Sequence, residues 1–244
     1  MPRFFVPDTG ISDDTVTIGG SDAHHISFAL RMAAGEEITV CDMHGGVHRC
    51  VLTALDGETV KAKILESTSD TTESPLKIHL FQAYPKSDKL EFIIQKAVEL
   101  GATQITPFES ERVIKRPKSD KTERLLARQS KIAEEAAKQC GRARLPRVDA
   151  PVSFEEMLRA ASAYPLCLFC YEGDGTRSMR EICAAHPTLR EVALVVGSEG
   201  GFSAKEAQAA KDAGMAMTGL GKRILRCETA PLFALSVLSC LYEL

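Results

Sequence analysis

Leu194-Val195-Val196-Gly197-Ser198-Glu199-Gly200-Gly201-Phe202-Ser203 is the stretch that decides the fold. The unbroken apolar run Val192 to Val196 reads as a strand buried on both faces, the mark of a parallel sheet. Glycines then let the backbone turn sharply and come close to a ligand. Ser203 with Glu206 three residues on makes a capping box, so a helix starts there. Further along, Leu220-Gly221-Lys222-Arg223-Ile224-Leu225-Arg226-Cys227-Glu228-Thr229-Ala230 follows the same plan. A short apolar strand, Met215 to Thr218, leads into it, and Gly219 and Gly221 flank Leu220. Lys222, Arg223 and Arg226 supply positive charge, and Thr229 is placed to N-cap a helix whose first position is Pro231.

Strand, glycine turn and helix in that order usually cradle a nucleotide-like cofactor. Here the loop carries Glu199 where a diphosphate would otherwise sit, and that carboxylate would repel it. The dinucleotide fingerprint G-x-G-x-x-G is absent, because the loop is G-x-x-G-G with no acidic residue at the expected distance on a following strand. Walker A fails too: Gly221-Lys222 is followed by Arg223, and Ala216 stands where its first glycine would be. The ligand is therefore adenosine-like without phosphates. S-adenosylmethionine fits, since its adenine, ribose hydroxyls and cationic sulfonium can be held by backbone amides, carbonyls and an anion.

Before residue 67 the pattern is of short strands, Ile38 to Cys41, Val47 to Leu55 and Thr59 to Leu65. They are separated by His44-Gly45-Gly46 and by Asp56-Gly57, a hairpin signal. This predicts a small all-β unit, an antiparallel barrel or sheet. Glu66 to Pro75 is polar and ends in proline, as a linker does, so the expected domains are 1–72 and 73–244. After the linker, strand-like runs (Leu76 to Ala83, Gln104 to Pro107, Leu166 to Tyr171) alternate with helical ones (from Asp88; from near Asp120 to Gln139). That alternation predicts an α/β domain, a parallel sheet with helices on both faces. In the Asp88 helix Leu90, Ile93, Ile94, Ala97 and Val98 form one stripe, Asp88 and Glu91 read as a capping box, and Gly101 closes the end. The last helix, Pro231 to Tyr242, is apolar nearly all round and is expected to pack on its own sheet and on a second subunit.

The 244 residues carry a formal charge of −3, which argues against indiscriminate nucleic-acid binding, yet the charge is uneven. From Arg112 to Arg147 there are twelve Lys or Arg against four acids, too few for pairing within a helix, so an anionic partner such as RNA is expected. Residues 1–72 hold five Lys or Arg against eleven acids, so any RNA contact there must rest on a few aimed side chains. The N-terminus has no apolar leader and no run is long enough to span a membrane, which predicts a cytoplasmic protein. Its eight cysteines should be reduced thiols. Cys167 and Cys170 form a C-x-x-C inside an apolar strand, where they point to opposite faces, and no metal site is expected.

Taken together, the two glycine loops resemble motifs of the SPOUT methyltransferases, most closely the RsmE group, which methylates N3 of a uridine in small-subunit ribosomal RNA. The resemblance runs along nearly the whole chain. It includes Met1 to Val6, His24-His25 with Leu30-Arg31, Pro85-Lys86, Lys96-Ala97-Val98-Glu99-Leu100-Gly101, Glu109 to Val113, and Glu135-Ala136-Ala137-Lys138-Gln139-Cys140-Gly141-Arg142. Ser198 stands where relatives often have proline, and Ala29 where they often have valine or isoleucine. The resemblance implies a PUA-like front domain that touches RNA, a homodimer, and a deep trefoil knot in which Lys222 to Thr229 passes through a preceding loop. It implies 16S ribosomal RNA as substrate, within the small subunit, at uridine 1498.

Methyl transfer to a uracil nitrogen requires loss of the N3 proton and spread of charge onto O2 and O4, so it needs a base or cationic donors. Arg226 is the first candidate to hold the developing anion. Glu199 is the best carboxylate for proton removal, although one at a glycine turn equally accepts backbone N–H bonds; Glu228 ranks below it. Cys227 is expected to be a bystander, since N3 chemistry needs no thiol adduct. For the cofactor the resemblance implies Tyr171, Val196, Gly197, Glu199, Gly200, Gly201, Leu220, Gly221, Ile224, Leu225, Arg226, Thr229 and Ala230. The RNA-facing set is Arg3, Arg31, Lys86, Arg112, Arg116, Gln139 and Arg142. The same chemistry on another base or a ribose 2′-hydroxyl, or a non-catalytic RNA-binding assembly factor, are the alternatives.

Overall fold

Residues 1–86, 88–112 and 122–244 are described by the computed structural model; Arg116, one of the expected RNA contacts, lies outside them. The chain forms two compact units, Met1–Glu73 with Ala137–Leu145, and Ser74–Ala136 with Pro146–Leu244.

In the first unit the elements are β1 (Arg3–Phe5), β2 (Ile11–Ser12), β3 (Thr15–Gly19), α1 (Gly20–His24) running on into a π turn (His25–Ala29), β4 (Glu37–Cys41), β5 (Gly46–Leu55) and β6 (Thr59–Ser69). They build one sheet in the order β1-β4-β5-β6-β3-β2, antiparallel except where β1 lies parallel to β4. Alternation sets the faces: β3 buries Val16 and Ile18 and exposes Thr15 and Thr17. The buried side share a core with Phe4, Ile26, Ile38, Val40, Leu52 and Val60. The Asp56-Gly57 turn forms as expected, with Gly57 at φ 94° and Asp56 Oδ1 accepting from the N–H groups of Glu58 (2.9 Å) and Thr59 (2.6 Å).

The expected linker is corrected in part. Glu66, Ser67, Thr68 and Ser69 continue β6, paired with Arg49, His48, Val47 and Gly46 of β5. These four are all exposed, so this end of the strand is held by its ladder of backbone bonds and not by apolar burial. A polar composition therefore concealed it.

In the second unit come β7 (Lys77–Ala83), α2 (Lys89–Glu99), β8 (Ala102–Glu109), α3 (Thr122–Cys140, whose last turn belongs to the first unit), β9 (Arg147–Val148), β10 (Val152–Ser153), α4 (Phe154–Ala161), β11 (Cys167–Cys170), β12 (Arg177–Ser178), α5 (Met179–Ala184), β13 (Glu191–Val196), α6 (Ala204–Asp212), β14 (Ala216–Gly219) and α7 (Thr229–Tyr242). The sheet runs β10-β8-β7-β13-β11-β14-β12, with β9 beside β8, and every pairing is parallel. Val192 to Val196 are buried throughout, as a strand covered on both faces must be. Phe81, Phe108, Phe169 and Phe202 centre one core cluster, each ring contributing roughly 1.5–3 kcal/mol by burial.

The α2 stripe is buried at all five expected positions, and Gly101 takes φ 87° just past its end. The Asp88 capping box does not form: Asp88 sits at φ −83°, ψ 7°, and its side chain makes no capping bond. An N-cap needs extended backbone to aim its oxygen at the first turn. The Ser203–Glu206 box does form. In α7 the expected Thr229 cap is also corrected, because Thr229 and Ala230 already donate to the Arg226 carbonyl (2.8 and 2.9 Å) and the helix starts before Pro231. Cys167 and Cys170 are buried free thiols, and burial pushes the Cys170 thiol up to about 12.

Candidate active site

Parallel strands all release their chains at the same edge, and ligands of such sheets bind outside the carboxyl ends. Here β7, β13, β11 and β14 are consecutive neighbours, with Val196 opposite Gln82, Phe169 opposite Val195, and Cys170 opposite Thr218. The loops at Lys86, at Gly197–Gly201, at Tyr171 and at Leu220–Arg226 are thus delivered side by side. The sheet brings together the expected cofactor residues Tyr171, Val196, Gly197, Glu199, Gly200, Gly201, Leu220, Gly221, Ile224, Leu225 and Arg226 at one edge, with Thr229 and Ala230 opening α7 there.

The first loop is rigid by construction. Phe202 is buried against Phe169, ring centroids 4.2 Å apart, and Gly201 stands at φ 60°. A Cβ on Gly197 would meet Phe202 Cε2 at 3.2 Å and Gly201 Cα at 3.3 Å. One on Gly200 would meet Arg112 Cβ at 3.0 Å, and the Arg112 guanidinium donates to the Gly200 carbonyl (3.0 Å). Gln82, fully buried, donates through Nε2 to the Gly197 carbonyl (3.1 Å), while its Oε1, like the buried Ser198 Oγ, finds no partner among the described residues. Buried polar atoms of that kind call for an outside partner. The second loop turns at Gly221 (φ 110°) and leaves Ile224 80% exposed, so Ile224 is no core residue; Arg226 is exposed beside it. A glycine cradle, orphaned acceptors and an uncovered isoleucine suit an adenosine-like ligand with an apolar base and polar ribose.

Electrostatics around Glu199 redefine that residue. It accepts from the Lys86 backbone N–H (3.1 Å) and from the Lys89 ammonium (3.0 Å). Lys89 Nζ also lies 3.2 Å from Glu228 Oε2. Burial alone would raise the Glu199 carboxyl, but hydrogen bonds from its own backbone N–H, Lys89 and Lys86 outweigh it and hold it below the usual range. So poised, Glu199 is a weak proton acceptor. Lys89 escaped the sequence reading, since nothing local names acids so distant as its partners.

The RNA-facing candidates divide. Arg31, Lys86, Arg112 and Gln139 are exposed. Arg3 is half-buried, with its guanidinium on the Arg142 carbonyl (3.1 Å). Arg142 is corrected: it is buried and grips Glu73 through Nε (3.0 Å) and Nη2 (2.6 Å), so its charge is spent inside the first unit. The basic block is likewise less free than its composition suggests. Arg128 pairs with Glu91, Lys138 with Asp22 and Arg147 with Asp149, acids outside the block, while Lys131 pairs with Glu134 and Glu135 within α3.

Comparison with known proteins agrees with this architecture. The family described as RNA methyltransferase domain matches residues 72–239, and that described as RNA methyltransferase PUA domain matches residues 18–65. Ribosomal RNA small subunit methyltransferase E of Bacillus subtilis is 34% identical over 251 residues, covering 100% of this chain and 98% of that protein. The protein of the same name from Synechocystis is 34% identical over 242 residues, covering 99% and 78% respectively. Among solved structures, ribosomal RNA small subunit methyltransferase E from Neisseria gonorrhoeae, bound to S-adenosyl methionine, superposes with a TM-score of 0.88 at 35% identity, over 99% of this chain and 98% of that one. With a PUA-like sheet in its first unit, an all-parallel sheet in its second, and paired glycine loops at the carboxyl edge of the latter, the chain belongs to the RNA methyltransferase family, within the ribosomal RNA small subunit methyltransferase E group.

Proposed function

We propose that the protein is an S-adenosylmethionine-dependent methyltransferase that acts on N3 of a uridine in 16S ribosomal RNA, uridine 1498 in the family's terms, as a cytoplasmic homodimer. The observation that carries this reading is the juxtaposition of the two glycine loops at one sheet edge, with orphaned Gln82 Oε1 and Ser198 Oγ beside them and Ile224 uncovered. S-adenosylmethionine, when bound, supplies the methyl group. The chain's residues bind and align: Tyr171, Val196, Gly197, Gly200, Gly201, Leu220, Gly221, Leu225, Thr229 and Ala230 form the cradle, and Ile224 covers the base.

Arg226, exposed in the second loop, offers its guanidinium to the charge that builds on the oxygens of a uracil losing its N3 proton, and preorganised donors commonly supply the largest share of rate enhancement. Glu199, held as a carboxylate by Lys86 and Lys89, serves the loop's architecture ahead of proton removal. Arg31, Lys86, Arg112 and Gln139 face the RNA. The trefoil knot belongs to the same proposal. So does the homodimer, for which Phe233 (42% exposed) and Leu241 (45%) on α7 and Phe92 (45%) on α2 leave apolar surface to be covered. Among the described residues no helix is long and apolar enough to cross a membrane.

The test is incubation with labelled S-adenosylmethionine and either naked 16S RNA or purified small subunits, followed by mapping of the modified nucleotide. Label on uridine N3 is expected. Label on a carbon or a ribose oxygen overturns the assignment, and no transfer to either substrate overturns the enzyme.

A further inference from the structure

Two loops that enclose a ligand must be kept at a fixed spacing; the first is anchored by Phe202, Gln82 and Arg112, the second is not. The loop from Leu220 to Glu228 holds no regular structure, and its central Ile224 is 80% exposed. Each loop carries one carboxylate, Glu199 in the first and Glu228 in the second. Both touch the same ammonium: Lys89 Nζ is 3.0 Å from Glu199 Oε1 and 3.2 Å from Glu228 Oε2. Lys89 itself is firmly based. It is the first residue of α2, and the neighbouring Leu90, Ile93 and Ile94 are buried to 3% exposure or less. The ammonium is therefore mounted on a helix that the core fixes, and it joins two acids from different loops that would repel each other without it.

We propose that Lys89 is a positioning residue that pins the two glycine loops to each other and to α2, setting the width of the cofactor cleft. This rests on the functional reading above for what fills the cleft, but the pin itself is independent of it. Lys89 touches neither methyl donor nor base in this role. It acts through Glu199 and Glu228, whose carboxylates it holds in register; its removal leaves Glu199 on backbone N–H groups and Glu228 on the Cys227 thiol, with no cation to join the two loops.

The experiment is a double-mutant cycle of Lys89→Ala and Glu228→Gln, with Lys89→Arg as the conservative variant, read two ways. The first readout is tryptic cleavage of the unliganded full chain after Lys222 or Arg223, which measures opening of the second loop with no reference to function. The second is the calorimetric Kd for S-adenosylmethionine. Lys89→Ala is expected to speed cleavage about tenfold and weaken binding about tenfold, yet to change each less than about threefold once Glu228 is Gln; contacting residues couple in this way. Lys89→Arg should stay within about threefold of the wild type, because its guanidinium can reach both acids. Should Lys89→Ala fail to fold, Glu228→Gln alone must still speed cleavage. Equal cleavage rates for wild type and Lys89→Ala, or for wild type and Glu228→Gln, overturn the pin. Absence of binding heat in the wild type overturns the proposed cofactor instead, and the cleavage rates then still decide the pin.

Discussion

Cys227 donates its thiol hydrogen to Glu228 Oε2 over 3.1 Å, and burial first, then that carboxylate, pushes the thiol up to about 12. A thiol so placed stays protonated at neutral pH and is no nucleophile. Cys227→Ser keeps a donor to Glu228, so methyl transfer should remain within about threefold of the wild type in steady-state assays. Near-complete loss would return Cys227 to the chemistry.

Arg226 should behave differently. Arg226→Ala is expected to lower single-turnover methyl transfer about 100-fold, the usual cost of one lost anion-stabilising donor, while the Kd for S-adenosylmethionine moves less than tenfold. Equal losses in both quantities would make Arg226 a cofactor ligand only.

Gly200→Ala puts a Cβ 3.0 Å from Arg112 Cβ and 3.4 Å from the Arg112 carbonyl oxygen, so the loop must shift. We expect cofactor binding to weaken by roughly three- to tenfold, as displacements at packed turns do. Gly19→Ala, at φ −124° with nothing within 4 Å, is the matched control and should be neutral. Binding unchanged in Gly200→Ala would show that the loop adapts.

Acid should destabilise the second unit through His79. This buried ring lies 2.7 Å from both Tyr164 Oη and Thr106 Oγ1, and Thr106 in turn hydrogen-bonds Asp149. Burial lowers its pKa from the ordinary 6.5 to about 4, against the pull of the Asp149 carboxylate. Between those values the unfolded chain takes up a proton that the native chain refuses, so stability falls as pH drops from 6.5 towards 4. The loss from this one group approaches about 3 kcal/mol. Denaturant midpoints measured across that window should flatten in His79→Gln; an unchanged slope would assign the acid sensitivity to other groups.

What the sequence disclosed and what it hid follow from the range of the forces involved. Val192 to Val196, the α2 stripe and the Ser203–Glu206 box are local patterns, each specified within a turn or a strand, and all three form. The polar end of β6 was hidden because backbone pairing with β5 leaves no mark in side-chain composition. Arg142 reads as a surface charge until Glu73, 69 residues away, folds over it. Lys89 was invisible for the same reason, its partners being 110 residues on at Glu199 and further still at Glu228. Geometry between distant segments is what the parallel sheet supplies, and no short window contains it.

The ownership of Ala137–Leu145 by the first unit has a last consequence. The polypeptide passes from one unit to the other at residues 73/74, 136/137 and 145/146, so each unit is assembled from two separate stretches of sequence. A gene fragment ending at Glu73 would encode a carboxylate stripped of Arg142, its buried counter-ion. Neither part can be transplanted onto another protein by a single cut, which ties the inheritance of the front sheet to that of the catalytic scaffold.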